Sequence, residues 1–118
     1  MRLILALLLL TACASPHHDF WGAEPVVHRL AGRDYAVYVH RPDPAHQICL
    51  AGASLAGCRA DRHPRVQVIR MGYARRPEHI AILHNMVRAA EEVSGCRIAE
   101  GTAEGDSGVM TARLTCPP

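Results

Sequence analysis

Lysine is absent from this chain of 118 residues: all 13 basic side chains are arginine, set against 11 aspartates and glutamates. That usage matches the codon bias of a GC-rich genome, and a net charge of +2 leaves little basic excess. No block of five or more basic residues occurs, and aromatics make up only 4% of the chain. A nucleic-acid binder needs a basic stripe and stacking surfaces, so that class is set aside. There is no C-x-x-C pair, no glycine-rich phosphate loop and no pair of carboxylates in a recognisable catalytic setting. Long apolar runs are missing too. The longest, Leu3 to Leu10, has eight residues, and a helix of that length covers only ~12 Å of a hydrocarbon core ~30 Å thick. An ordinary transmembrane helix is therefore excluded at that position.

What the run does have is the shape of an export leader. Met1-Arg2 supplies a minimal positive start, the leucines follow, and the stretch closes on Leu10-Thr11-Ala12-Cys13. These four residues resemble the lipobox of bacterial lipoproteins: a branched apolar residue, two small residues, then the acceptor cysteine. The resemblance covers the first 13 residues. It implies a diacylglyceryl thioether on Cys13, cleavage before Cys13 and acylation of the new amine. Two or three chains give stable attachment where one is marginal. In that family an aspartate after the cysteine favours retention in the inner membrane. Ala14 stands there instead, which implies the outer membrane, facing the periplasm. The competing reading is a conventional signal peptide cut near Ala12 or Ala14, with an incidental cysteine.

Three segments are expected: a signal peptide at 1–12, a lipidated terminus and tether at 13–25, and a folded domain at 26–118. Residues 14–25, "ASPHHDFWGAEP", have no period and carry proline, glycine and polar residues. Phe20-Trp21 is the exception, suited to a membrane interface or to tucking against the domain. His17-His18-Asp19 supplies at most an incomplete metal site on its own.

With Cys13 consumed, Cys49, Cys58, Cys96 and Cys116 remain. An even number in an exported chain points to two disulfides. Cys49 and Cys58 bracket the small-residue loop "LAGASLAG", and Cys96 and Cys116 lie equally far from Asp106 in "EGDSG". A hairpin about Asp106 sets Cys96 opposite Cys116, Ile98 opposite Leu114 and Thr102 opposite Met110. The expected bridges are Cys49–Cys58 and Cys96–Cys116.

The stretch "VVHRLAGRDYAVYVHRP" reads as a strand near 26–30, a turn at Ala31-Gly32-Arg33 and a strand near 34–41, in which Tyr35, Val37 and Val39 alternate with Ala36, Tyr38 and His40. Residues 42–64 read as irregular, and "RVQVIRMGYA", 65–74, as a further strand. Pro77 suits the start of a helix and Gly95 the position past its end. Between them Ile80, Ile82, Leu83, Met86, Val87, Ala90 and Val93 make an apolar stripe. The expected class is a small two-layer α+β domain: an antiparallel sheet of about five strands, ordered ββ–loop–β–α–ββ, on one helix.

Catalytic patterns fall short. Gly52-Ala53-Ser54-Leu55-Ala56 misses the second glycine of a nucleophile elbow and lacks the parallel sheet that elbow requires. His79 and His84 are five residues apart, on different sides of the helix. Neither catalytic residues, nor a cofactor, nor a metal site is expected. The expected function is that of a membrane-anchored envelope protein, held by acyl chains on Cys13 and binding another envelope component. The alternative is a small ligand- or metal-binding module built from several of the eight histidines.

Overall fold

The fold is that of a computed structural model. It describes residues 16, 20, 22–42, 47–49, 58–60 and 63–118, with backbone alone at 47–49 and 58–60. The leader, Cys13 and the 52–56 loop lie outside the described residues.

The first two strands, β1 (Val26–Leu30) and β2 (Arg33–His40), form a hairpin. Leu30 pairs with Arg33, so the turn is Ala31-Gly32 alone, and both residues have positive φ (49° and 78°). Two left-handed residues give the turn a twist that matches its strands. Arg29 donates to Asp34 directly across the hairpin at 2.9 Å. Tyr35 and Val37 are buried as the alternation predicts.

The segment 42–64 is not wholly irregular. Within it β3 (Gln47–Cys49) pairs antiparallel with β4 (Cys58–Ala60), Cys49 opposite Cys58, as a separate two-stranded sheet. Strands of three residues are too short to show alternation in sequence. The expected Cys49–Cys58 bridge itself lies outside the described residues.

Strand β5 (Arg65–Arg70) is flanked by β2 on one side and β8 (Val109–Thr115) on the other, both antiparallel. This central position buries Val66, Gln67, Val68 and Ile69 in succession. The strand ends four residues before the expected Ala74. Arg70 N–H donates to Gly108 O and Met71 N–H to Asp34 O, after which Gly72 turns the chain at φ 86°.

Pro77 falls in a single 3-10 turn, Arg76–Glu78, that leads into helix α1 (His79–Ser94). Gly95 closes the helix in the left-handed region, φ 71°, and its N–H donates to Glu91 O. Ile82, Met86, Ala89 and Ala90 of α1 pack on Val37, Val66, Val68, Met110, Ala112 and Leu114 of the sheet. The buried stripe is narrower than predicted. Ile80 and Leu83 are exposed, while Ala89 and Ser94 are buried. Ile80 lies two residues before Ile82, about 160° round the helix from it, so both cannot face one sheet.

The last strands are β6 (Arg97–Ile98), β7 (Glu104–Gly105) and β8. Arg97 pairs with Thr115 and Ile98 with Leu114, and Cys96 is bridged to Cys116. Among the described residues this is the one disulfide, against two expected. The register then slips. Glu104, not Thr102, is the next residue to pair, with Thr111, and Met110 faces Gly105. Two residues of β8 lie between Leu114 and Thr111, but five lie between Ile98 and Glu104 on the other side. The surplus is taken up by a turn in which Thr102 Oγ1 donates to Ala99 O (2.7 Å) and accepts from Arg113 N–H (3.2 Å). A hydroxyl thereby stands in for the backbone partner that strict pairing would supply.

The main sheet has the order β1-β2-β5-β8-β6, with β7 also on β8. The class is α+β, one helix on a curled antiparallel sheet.

Candidate functional site

One pole of the domain collects three chain reversals: the Ala31-Gly32 turn, the Met71–Arg75 loop that leads into α1, and the turn Asp106–Val109. Strands β1 and β5 end here and β2 and β8 begin here. Polar side chains tie the reversals together. Arg33 Nη1 donates to Tyr73 O at 2.9 Å, and its guanidinium lies 3.7 Å from Glu78. Arg70 reaches both ways, with Nη1 donating to Ser107 O at 3.1 Å and Nε to Gly72 O at 3.2 Å. His79 Nδ1 shares a hydrogen bond with Ser107 Oγ, joining the first residue of α1 to the last turn.

Two carboxylates work inside this frame. Asp106 Oδ1 accepts from Gly108 N–H (2.7 Å) and Val109 N–H (3.0 Å). The bonds from Val109 and Gly108, then the charges of Arg70 and His79, hold the Asp106 carboxyl below its ordinary range. Glu78 accepts from Arg75 N–H at 2.6 Å. That bond first, then the charges of Arg75 and Arg33, lowers its carboxyl as well. Gly105, just before the turn, has φ 112°, and a Cβ there would stand 2.1 Å from Val109 O. Only glycine fits.

The framed pole presents apolar side chains to solvent: Tyr73 is 85% exposed, Ile80 73%, Met71 45% and Leu83 39%. Ile80 and Leu83 are neighbours on the helix surface at i, i+3. The Tyr73 backbone is clamped through its carbonyl while its ring stands free. Two further exposed valines, Val26 and Val27, begin edge strand β1 at the opposite pole. Being successive they point to opposite faces and form no common patch.

A serine hydrogen-bonded to a histidine invites a nucleophilic reading. The surroundings work against it. Gly108 N–H and Val109 N–H, the two amides that follow Ser107 in the chain, already donate to Asp106 and are not free to receive an oxyanion. Arg70 is committed to two backbone carbonyls. The pair is a strap between helix and turn. Nothing in the sequence announces it, because His79 and Ser107 lie 28 residues apart in unrelated elements.

The other residues singled out in the sequence disperse. His28 pairs with Glu92 at 2.6 Å, and this bond lowers the Glu92 carboxyl. His63 and His84 are exposed on separate elements, and His17, His18 and His46 lie outside the described residues. Among the described residues no three His, Cys, Asp or Glu side chains converge as a metal site would need. A cavity of about 350 Å³ opens where the β6–β8 register slips, lined by Arg65, Gly101, Thr102, Glu104, Thr111 and Arg113. Its hydroxyls are already engaged, Thr102 as above and Thr111 by Gln67 Nε2 at 3.3 Å. Among the described residues no helix is long and apolar enough to cross a membrane.

Comparison with protein-family models, with curated proteins and with solved structures finds no match to this chain.

Proposed function

We propose that this chain is a lipid-anchored protein of the bacterial envelope, without catalytic activity, that binds another envelope component through the pole bearing Tyr73. The observation that carries the reading is the pairing of a rigid polar frame with exposed Tyr73, Met71 and Ile80. Tyrosine, methionine and flanking arginines such as Arg75 and Arg76 are the side chains that binding hot spots favour. A clamped backbone also lowers the ordering cost of association. Attachment follows from the lipobox: acyl chains on Cys13 hold the chain, and Ala14 directs it to the outer membrane, facing the periplasm. The disulfide Cys96–Cys116 agrees with an oxidising compartment. A second bridge, Cys49–Cys58, belongs to the same proposal, supported by the backbone register that sets the two residues opposite each other.

The test is site-specific photo-crosslinking in cells from position 73, with position 97 as control because the Arg97 side chain is 90% exposed at the other pole. A discrete adduct from 73 and none from 97 is expected. Equal labelling from both positions, or none from 73, overturns the binding assignment. Intact mass of the membrane-extracted chain tests the anchor separately. A chain starting at Cys13 with added acyl mass is expected, and an unmodified chain starting elsewhere overturns it.

A further inference from the structure

We propose that the cavity at the β6–β8 slip is a binding site for a small zwitterion, an ammonium and a phosphate joined by a short chain. Arg65 begins β5 and Arg113 lies near the end of β8, so the cavity sits away from the Tyr73 pole. It is independent of the partner surface there and stands or falls separately.

The cavity exists because of the slip. The chain between Ile98 and Glu104 is longer than the stretch of β8 it runs beside, and the surplus turns back at Ala99–Thr102. A hollow of about 350 Å³ opens beside β8, within the roughly 300–1,000 Å³ of small-ligand pockets. Register then puts charge into it. Arg65 is directly opposite Arg113, and Glu104 is opposite Thr111. Residues two apart share one face of a strand, so Thr111, Arg113 and their two partners face the same way. That face is turned from the helix, because Val66, Met110 and Ala112 at the alternate positions pack in the core with α1. All four side chains line the cavity. The arginine row and the carboxylate row lie two residues apart along β8, about 7 Å.

The lining holds charges of both signs that do not neutralise each other. Among the described residues no ion pair joins Glu104 to either arginine, and the Arg113 guanidinium has no partner. Like charges directly opposite in a sheet repel, and guanidinium groups grip phosphate oxygens through forked hydrogen bonds. The hydroxyls agree with an oxyanion. Thr111 Oγ1 accepts from Gln67 Nε2 at 3.3 Å, while its own proton has no acceptor among the described residues. Thr102, bonded on both sides, fixes the wall. A bare phosphate would be repelled by Glu104, and a bare amine by the arginines. A ligand carrying both groups answers both rows.

The test is calorimetric titration of the full-length chain, in an uncharged detergent, with O-phosphoethanolamine, inorganic phosphate and ethylamine in turn. Saturable binding of phosphoethanolamine, at least fivefold tighter than that of either fragment, is expected. No binding, or an affinity no better than that of one fragment, overturns the proposal. Arg113→Gln is expected to weaken phosphoethanolamine and phosphate alike by tenfold or more. Glu104→Gln is expected to weaken phosphoethanolamine at least fivefold without weakening phosphate. Both side chains are exposed, so the unfolding midpoints should stay at the wild-type value. Undiminished binding in either variant overturns the site. Should a variant not fold, the wild-type titrations decide alone. Glycerophosphoethanolamine, whose phosphate is a diester as in a lipid headgroup, separates the sources. Binding as tight as that of the monoester assigns a membrane lipid, and its loss assigns a soluble phosphate ester.

Discussion

The two poles of the domain are closed by different chemistry. At the disulfide pole the chain is fixed covalently by Cys96–Cys116, the helix ends on left-handed Gly95, and Arg41 donates to Ser94 O at 3.0 Å. Charged side chains such as Arg97 and Glu91 face the solvent there. At the Tyr73 pole no covalent bond closes the described chain. Arg33, Arg70, His79, Ser107 and Asp106 hold three reversals by hydrogen bonds, and the apolar side chains point outward. The difference teaches how a small domain divides its labour. The cross-link acts mainly on the unfolded chain and asks little of the local surface, whereas a polar clamp fixes the backbone and leaves neighbouring side chains free to meet a partner.

The contrast can be broken most sharply at Gly105. Gly105→Ala forces a Cβ against Val109 O and is expected to cost about 3 kcal/mol, since both the φ and the contact are adverse. Thermal unfolding should show it, with amide exchange raised first at the Tyr73 pole. Cys116→Ser attacks the other pole. Opening a loop with 20 residues of separation should cost roughly 2–4 kcal/mol. Reductant should lower the melting temperature of the wild type and leave that of the variant almost unmoved.

Acid offers a gentler probe of the clamp. Asp106 and Glu78 are both held below their ordinary values by folding. Such groups contribute stability that is present above the unfolded-state carboxyl range, near pH 4, and lost as pH falls through the lowered folded value. Protection of the Gly108 and Val109 amides against exchange, relative to their intrinsic rate, is expected to fall as pH drops below about 4, and Asp106→Asn should flatten that dependence. Smallest of all in stability is Tyr73→Ala, expected within about 0.5 kcal/mol of wild type because the ring is exposed. Its effect should fall instead on crosslinking or co-purification of the partner.

Much of the frame is legible in the residues. Pro77 marks the start of the helix to within two residues, and Gly95 stands just past its end as expected. The β1–β2 hairpin and the pairing of Ile98 with Leu114 follow from local pattern and symmetry. Local information then runs out. The slip that replaces Thr102–Met110 pairing depends on a hydroxyl finding Arg113 N–H eleven residues away. The exposure of Ile80 depends on which side of the helix meets the sheet, which composition alone does not decide. The Ser107–His79 strap is a tertiary fact with no spacing to betray it. The candidate surface was therefore the least legible part, since Tyr73 in "RMGYARRP" looks like any loop residue.

The register slip also shapes how these molecules meet one another. A sheet edge with a long row of unpaired amides and carbonyls is a template on which a neighbouring copy can add a strand. Here the edge beside β8 is split into β6 and β7, two residues each, with the Ala99–Thr102 turn between them. Neither piece is long enough to seed a continuous ladder. Along this side of the sheet, that broken edge is a guard against strand-by-strand aggregation.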